Sequence, residues 1–261
     1  MIARDSTPRT VHYTLPVPSV KDEAVCIRLM DWSETSQIAV LLTRGHGKVS
    51  VVAKGARRLQ PSTMARFGGG LELLTAGEAV WIAKRGSELC QLTDWDLRDA
   101  HRHLRDDFTA FRLAHYAADL LHHLVQDHDP HPKSYAALTR FLADLANPAS
   151  TRESLLRFQW TGVEDMGLMP VLDRDAETGM PLDESGETLA FSHVAGGVVA
   201  DTGRGDRWRV RTATVRLLRE IAQGGAPIGV DPDSLDRANK LLCAYFRAIL
   251  DKQLPTMDAV L

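Results

Sequence analysis

The stretch Gln37-Ile-Ala-Val-Leu-Leu-Thr-Arg-Gly-His-Gly-Lys-Val-Ser-Val-Val-Ala-Lys54 reads as two short strands joined by a tight hairpin. Apolar, largely β-branched residues fill Gln37 to Thr43 and Lys48 to Lys54, and Gly45-His46-Gly47 supplies the positive φ that so tight a reversal requires. The pattern repeats on both sides. Ala24-Val-Cys-Ile-Arg-Leu-Met30 precedes it; Leu71-Glu-Leu-Leu74, Gly77-Glu-Ala-Val-Trp-Ile-Ala83 and Glu88-Leu-Cys-Gln-Leu-Thr93 follow, with Arg85-Gly86-Ser87 as a turn. Five or so short strands between residues 22 and 98 predict a small closed barrel of the five-stranded OB type, because closure removes the exposed edges of so short a sheet.

Beyond Trp95 the apolar period changes from two residues to 3.6. Leu104, Phe108, Phe111, His115, Ala118, Leu121 and Val125 predict an amphipathic helix over His101 to Gln126, ended by Asp127-His-Asp-Pro-His-Pro132. A second helix carries Tyr135, Leu138, Leu142 and Leu145 before Pro148. A third opens with Ser150 and Glu153 at capping-box spacing and runs through Leu156 and Trp160. Helical signals return from Thr212 to Gln223, stopped by Gly224-Gly225, and a last helix has Asp231 as N-cap and Pro232 at its first position. Val171 to Arg207 is polar and reads as an irregular insertion with short hairpins. The fold expected is α+β, divided into an N-terminal extension (1–21), the barrel (22–98), a helical bundle in two parts (99–170 and 208–261) and the insertion (171–207).

The 261 residues are 44% apolar, and 31 Lys and Arg stand against 34 Asp and Glu, a composition that excludes collagen-like and wholly disordered chains. Three cysteines, Cys26, Cys90 and Cys243, lie far apart among apolar residues, as buried thiols in a reducing compartment do. The opening MIARDSTPRTVHYTLPVPSV has charges and prolines where a secretion signal needs an apolar run. A cytoplasmic location is expected.

The net charge of −3 hides an uneven distribution. Between Glu34 and Glu72 there is no carboxylate, while Arg44, Lys48, Lys54, Arg57, Arg58 and Arg66 fall there beside His46. Positions 48, 50, 52 and 54 share one side of a strand, so Lys48 and Lys54 are expected on one face that continues into Arg57-Arg58, with Lys84 and Arg85 on the adjoining hairpin. Such a row matches a polyanion backbone, where each contact releases condensed counterions. Single-strand binding also calls for aromatic platforms, and Trp32, Phe67 and Trp81 are the candidates. Catalysis has no comparable anchor: G-x-S-x-G, P-loop, G-x-G-x-x-G and H-E-x-x-H signatures are all missing. His115, Asp119 and His122 sit at helical spacing as metal ligands do, but His115 continues the apolar stripe and reads as a packed core histidine. The His128 and His131 loop is a weaker metal candidate still. No catalytic, cofactor or metal site is assigned.

Asp31-Trp-Ser-Glu-Thr-Ser36, Val40-Leu-Leu-Thr-Arg-Gly-His-Gly-Lys48 and Val52-Ala-Lys-Gly-Ala-Arg-Arg58 closely resemble the opening barrel of the bacterial recombination mediator family RecO. Leu155-Leu-Arg-Phe158, Leu172-Asp-Arg174, Phe191-Ser192 and Gly196-Gly-Val-Val199 are similar to later parts of the same family. The resemblance implies an OB barrel and a helical bundle interrupted by a zinc-ribbon-like insertion. It also implies a non-enzymatic DNA repair and recombination protein that binds single- and double-stranded DNA, anneals complementary strands, and with RecR helps load the RecA recombinase. On the same resemblance the helical part docks the acidic, Phe-ended tail of single-stranded-DNA-binding protein, with Arg112, Arg140, Arg152 and Arg157 available. One departure matters. Where many members carry two C-x-x-C pairs, this chain has Asp175 and Thr178, then Ala200 and Gly203, so no zinc is expected. The competing reading from the residues alone is an OB-type RNA-binding or ribosome-associated protein.

Overall fold

Period-two alternation builds a barrel whose two surfaces are both apolar over part of its circumference. The structure is a computed structural model that describes residues 18–56, 66–68, 70–84 and 86–261. Its strands are β1 (Ser19–Asp31), β2 (Gln37–Thr43), β3 (Gly47–Ala53), the two-residue β4 (Phe67–Gly68), β5 (Ala76–Ile82) and β6 (Cys90–Asp99). The order β3-β2-β1-β5-β6 closes through a parallel β3–β6 pairing, and β4 adds to β6. This is an OB-like five-stranded closed sheet with a short extra strand. Ala39, Leu41, Val49, Val51, Trp81, Leu92 and Trp95 fill its interior. Gly77 is required here, because a Cβ would lie 2.8 Å from the Trp95 ring.

Leu71 to Leu74, expected as a strand, is instead a tight turn that completes a bulge in β1. Cys26 N–H donates to the Thr75 carbonyl and Leu74 N–H to the Cys26 carbonyl, while Leu74 adopts φ 66°. The bulge frees these β1 groups from the ladder, and the turn satisfies them.

The helices are α1 (Phe108–Leu124), α2 (Pro132–Asp144), α3 (Thr151–Asp165), α4 (Thr212–Ala222) and α5 (Pro232–Ile249). The first begins later than its apolar pattern: Asp107 caps it through Thr109 and Ala110 N–H, and Arg102–Arg105 is a separate 3-10 turn. Its buried positions are also rotated from the expected stripe. Ala110, Leu113, Ala114, Tyr116, Ala117, Leu120 and Leu121 are buried, Phe108 is 76% exposed, and His115 is only half-buried. The reason is that α1 is packed on two sides, where small residues allow close approach. Val25, Ile27, Val40 and Leu42 on the outer wall of β1 and β2 belong to one apolar cluster with Ala114, Ala117 and Leu121. Each such fully buried Leu contributes about 1.5–3 kcal/mol. Ser150 makes no cap bond; Asn147 caps a preceding 3-10 turn instead. Asp231 caps α5 through Ser234 N–H, with Pro232 following as expected. A buried polar chain ties α1, α3 and α5: Tyr116 Oη donates to Gln159 Oε1 at 2.9 Å and Gln159 Nε2 to Asn239 Oδ1 at 2.8 Å.

The insertion is a three-stranded antiparallel sheet of β7 (Thr188–Ser192), β8 (Gly197–Val199) and β9 (Trp208–Arg211), ordered β8-β7-β9. Buried Asp175 binds its two loops together. Its Oδ1 accepts from Glu177 and Thr178 N–H, both at 2.9 Å, and its Oδ2 from Ala200 N–H at 2.8 Å. Arg207, with a side chain only 7% exposed, adds a second link, donating to Glu177 Oε2 at 2.6 Å and to the Ala200 carbonyl at 2.8 Å. Desolvation acts to raise the Asp175 pKa, but the backbone donors together outweigh it and hold the carboxyl below its ordinary value. Its stabilisation is therefore complete above the unfolded carboxyl value of about 3.9 and is lost as pH falls through the lower native one. Asp175→Ala should cost roughly 1–3 kcal/mol in chemical denaturation, because three part-buried hydrogen bonds to backbone N–H groups lose their acceptor. The gap between variant and wild type should narrow as pH falls below the ordinary carboxyl range and through the lowered native value.

Candidate nucleic-acid interface

The strand Lys48 to Lys54 does present its even positions on one side, but that side is not an open cationic face. At the hairpin end, Gly47 (φ 68°) packs so tightly on the loop after α1 that a Cβ would lie 2.2 Å from the Asp129 carbonyl oxygen. His128 N–H donates to the Lys48 carbonyl at 3.0 Å. The Lys48 side chain, 13% exposed, donates from Nζ to the His122 carbonyl at 2.7 Å and pairs with Asp127 Oδ1 at 3.3 Å. This corrects the sequence expectation: Lys48 fastens the barrel to α1 and is not free for phosphate. Arg44 is exposed but pairs with Glu23 at 3.2 Å, and His46 lies 2.8 Å from Asp22 with its ring edge on Trp81. The carboxylates missing from residues 35–71 are supplied across the sheet by β1.

The far end of β3 is different. Extending the parallel Val52↔Gln91 register brings Lys54 level with Thr93 of β6. Arg66 Nε donates to the Thr93 carbonyl at 3.0 Å and its guanidinium lies 5.4 Å from the Phe67 ring centre, while the residue stays exposed. Lys84 follows Ile82, the partner of Gln91 near the start of the same strand. Lys54, Arg66 and Lys84 are exposed and, among the described residues, have no carboxylate partner. Arg57, Arg58 and Arg85 lie outside the described residues. Of the three aromatic candidates, Phe67 and Trp81 are buried in the barrel interior, whereas Trp32 is 64% exposed. Asp31 pairs with Gln37 and Gln37 with Ala53, so Trp32 stands on the Lys54 end of the barrel.

A second cationic cluster, unsuspected from sequence, occupies the cleft between β1 and α1. Arg28 Nη1 lies 2.9 Å from His122 Nε2 and Lys252 Nζ 3.2 Å from His123 Nε2. Arginine has no acceptor, so His122 accepts at Nε2 and carries its proton on Nδ1, which is buried without a partner. Asp119, beside them, accepts from Thr256 Oγ1 at 2.7 Å and lies 3.5 Å from His123. His115 lines the same cleft. The residues His115, Asp119 and His122 thus share a cleft, but the His122 Nε2 lone pair faces Arg28 and Asp119 accepts from the Thr256 hydroxyl, so the two do not converge on a point. Among the described residues no three His, Cys, Asp or Glu side chains form a group that could hold a metal ion. Nothing in the spacing of Arg28 and Lys252 could have joined them; only the return of the C-terminus to β1 does.

The chain thus has two parts, a barrel with a cationic, aromatic rim and a helical module. The model of the recombination protein O N-terminal region matches residues 17–101 and that of its C-terminal region residues 105–258. The chain belongs to the recombination protein O family. It is 31% identical over 242 residues, 90% of this chain and 93% of the relative, to the DNA repair protein RecO of Anaeromyxobacter sp. (strain Fw109-5). A protein of the same name from Myxococcus xanthus (strain DK1622) is 31% identical over 91% of this chain and 95% of its own length. That of Rhodopirellula baltica is 30% identical over 82% and 77%. Among the described residues, no helix is long and apolar enough to cross a membrane.

Burial, then the Lys48 and Arg28 charges, then His123, push the His122 pKa down to about 4, against the opposing pull of Asp119. An unfolded histidine titrates near 6.5, so the unfolded chain gains a proton that the native cleft refuses, and stability falls as pH drops from about 6.5 toward about 4. The His122 ring resonances should titrate with a midpoint near 4 in wild type and higher in Lys48→Met. A wild-type midpoint at the ordinary value would contradict the geometry.

Proposed function

We propose that this protein is a DNA repair and recombination mediator. It holds single- and double-stranded DNA on the Lys54, Arg66 and Lys84 rim, anneals complementary strands, and acts with RecR in loading the RecA recombinase. The observation that carries this is the rim itself: cations without carboxylate partners among the described residues, beside an exposed indole. Cations in that arrangement screen the repulsion between two phosphate backbones, and Trp32 offers a base a sequence-tolerant stacking surface. Base pairing then supplies the specificity. Arg57, Arg58 and Arg85 are adjacent in sequence and belong to the same proposal. Arg44 is at most an accessory contact, since Glu23 already holds it. Family membership and the relatives' name support the reading.

The reading extends to location, partners and metal. It puts the protein in the cytoplasm with the nucleoid DNA, and RecR rests on the family alone. For the acidic tail of single-stranded-DNA-binding protein, Arg140 and Arg157 border a cavity of about 200 Å³ lined by Phe141, Phe158 and Ile221. Arg112 donates to the Asp258 carbonyl and Arg152 pairs with Asp236, both at 2.7 Å, whereas Arg140 and Arg157 are held more loosely, by Asp144 at 3.7 Å and Glu153 at 3.9 Å. Zinc does not fit the insertion. Thr178, Ala200 and Gly203 offer no thiolate or imidazole, and both Asp175 oxygens already accept backbone N–H groups.

The test is binding of a labelled oligonucleotide across a salt series. Each lost contact on a single strand should flatten the log-affinity slope by about 0.7, so replacing Lys54, Arg66 and Lys84 together by Gln should remove about 2. Trp32→Ala should cost about 1–3 kcal/mol on single strands and little on duplex. Annealing of protein-coated complementary strands should fail in the triple variant. An unchanged slope, or preference for RNA without annealing, would sink the proposal.

A further inference from the structure

The insertion sheet leaves one edge open. In the order β8-β7-β9, strand β9 pairs, among the described residues, with β7 alone. Thr212 N–H donates to the Glu187 carbonyl at 2.9 Å, so the antiparallel alternation makes Val210 and Trp208 the hydrogen-bonded partners of Leu189 and Phe191. The backbone N–H and C=O of Arg209 and Arg211 therefore point away from β7. They face a groove of about 580 Å³ between this edge and α5. Its floor is apolar, formed by Trp208, Val210, Leu241 and Ala244.

Cations outnumber carboxylates along the groove. Arg209, Arg211, Arg237 and Lys240 border it with Glu187 and the last residue, Leu261, and two of the four are already compensated, Arg209 by Asp201 at 3.4 Å and Arg237 by Asp231 at 3.8 Å. Arg211 and Lys240 have no acidic partner among the described residues. The α4 N-terminus, just after Arg211, adds the positive end of a helix dipole. Two polar atoms are also left waiting: Thr214, itself 2% exposed, lines the groove with Oγ1 unpartnered, and Arg237 Nε is buried without an acceptor. Charge alone would be an ordinary way to protect a strand edge. An apolar floor with orphaned buried donors is not part of such protection.

We propose that this groove docks an acidic, extended segment internal to a partner protein, taken up as a fourth strand on β9. Strand addition pairs main-chain groups with the outward Arg209 and Arg211, and alternate side chains separate into an acidic row and an apolar row against the floor. Nucleic acid has no peptide groups to pair with the edge. The segment needs no free terminal carboxylate, which distinguishes it from a tail seated at Arg140 and Arg157. The inference does not rest on the DNA contacts of the barrel.

The probe is an end-blocked, labelled peptide, acetyl-Val-Asp-Val-Asp-Leu-Asp-amide, followed by anisotropy. Wild type should bind it saturably, and the Asn-for-Asp version at least tenfold more weakly. Arg211→Gln removes a charge alone. Arg211→Pro also removes the outward N–H, and the native φ of −72° at this position suits proline. The Pro variant should therefore bind several-fold more weakly than the Gln variant. Ala244→Glu, which fills the half-exposed floor with a like charge, should abolish binding while leaving the melting curve and oligonucleotide binding intact, and it serves if the Pro variant misfolds. Absence of saturable binding, equal affinity of the Pro and Gln variants, indifference to Ala244→Glu, or displacement of the peptide by an oligonucleotide would each overturn the proposal.

Discussion

The outer wall of β1 and β2 is apolar, and α1 must cover it. Val25, Ile27, Val40 and Leu42 would otherwise leave a contiguous hydrophobic patch in water, so the barrel and helices share one core rather than meeting as two finished bodies. Much else follows from that contact. It buries the hairpin end of β3 under the loop after α1, turns Lys48 from a surface cation into a fastening, and brings the C-terminal Lys252 within reach of a histidine beside Arg28. It also decides which end of the barrel stays open.

The consequence for function is a division of labour among cations of similar sequence character. Lys48 and Lys54 stand six residues apart on one strand, roughly 20 Å, yet one is desolvated against a carbonyl and a carboxylate while the other faces solvent. A buried, hydrogen-bonded lysine holds structure; an exposed, unpaired one retains the hydrated charge that counterion release needs. Similarly, the two oxygens of Asp175 join two loops of the insertion by accepting backbone donors. A carboxylate and the Arg207–Glu177 pair thus spread the cross-link of the insertion over several weaker bonds.

The barrel was legible because strand alternation, glycine turns and a clustered basic run are local signals. The helices from Pro132 onward were legible for the same reason, as was the Asp231 cap of the last one. Apart from helix starts, misjudged at Ser150 and His101, the failures were non-local. Leu71 to Leu74 looked like a strand because its residues are apolar, but a bulge in β1 claimed its backbone. Phe108 and Phe111 looked like core because they are large, but a helix packed on two sides buries alanines at the closest approaches and leaves the phenylalanines at the margin. His115 followed them outward.

Residue order by itself determined most of the element types, the small β-barrel and the helical bundle, since local alternation, period and turn residues carry those signals. Tertiary structure alone decided which cations are free. Charge compensation acts through space: Asp22 and Glu23 neutralise His46 and Arg44 across the sheet, Asp127 takes Lys48 from a later loop, and only Lys54, Arg66 and Lys84 of the described candidates escape. A Coulomb interaction falls with distance rather than with sequence separation, so no linear count of charges could have drawn that line.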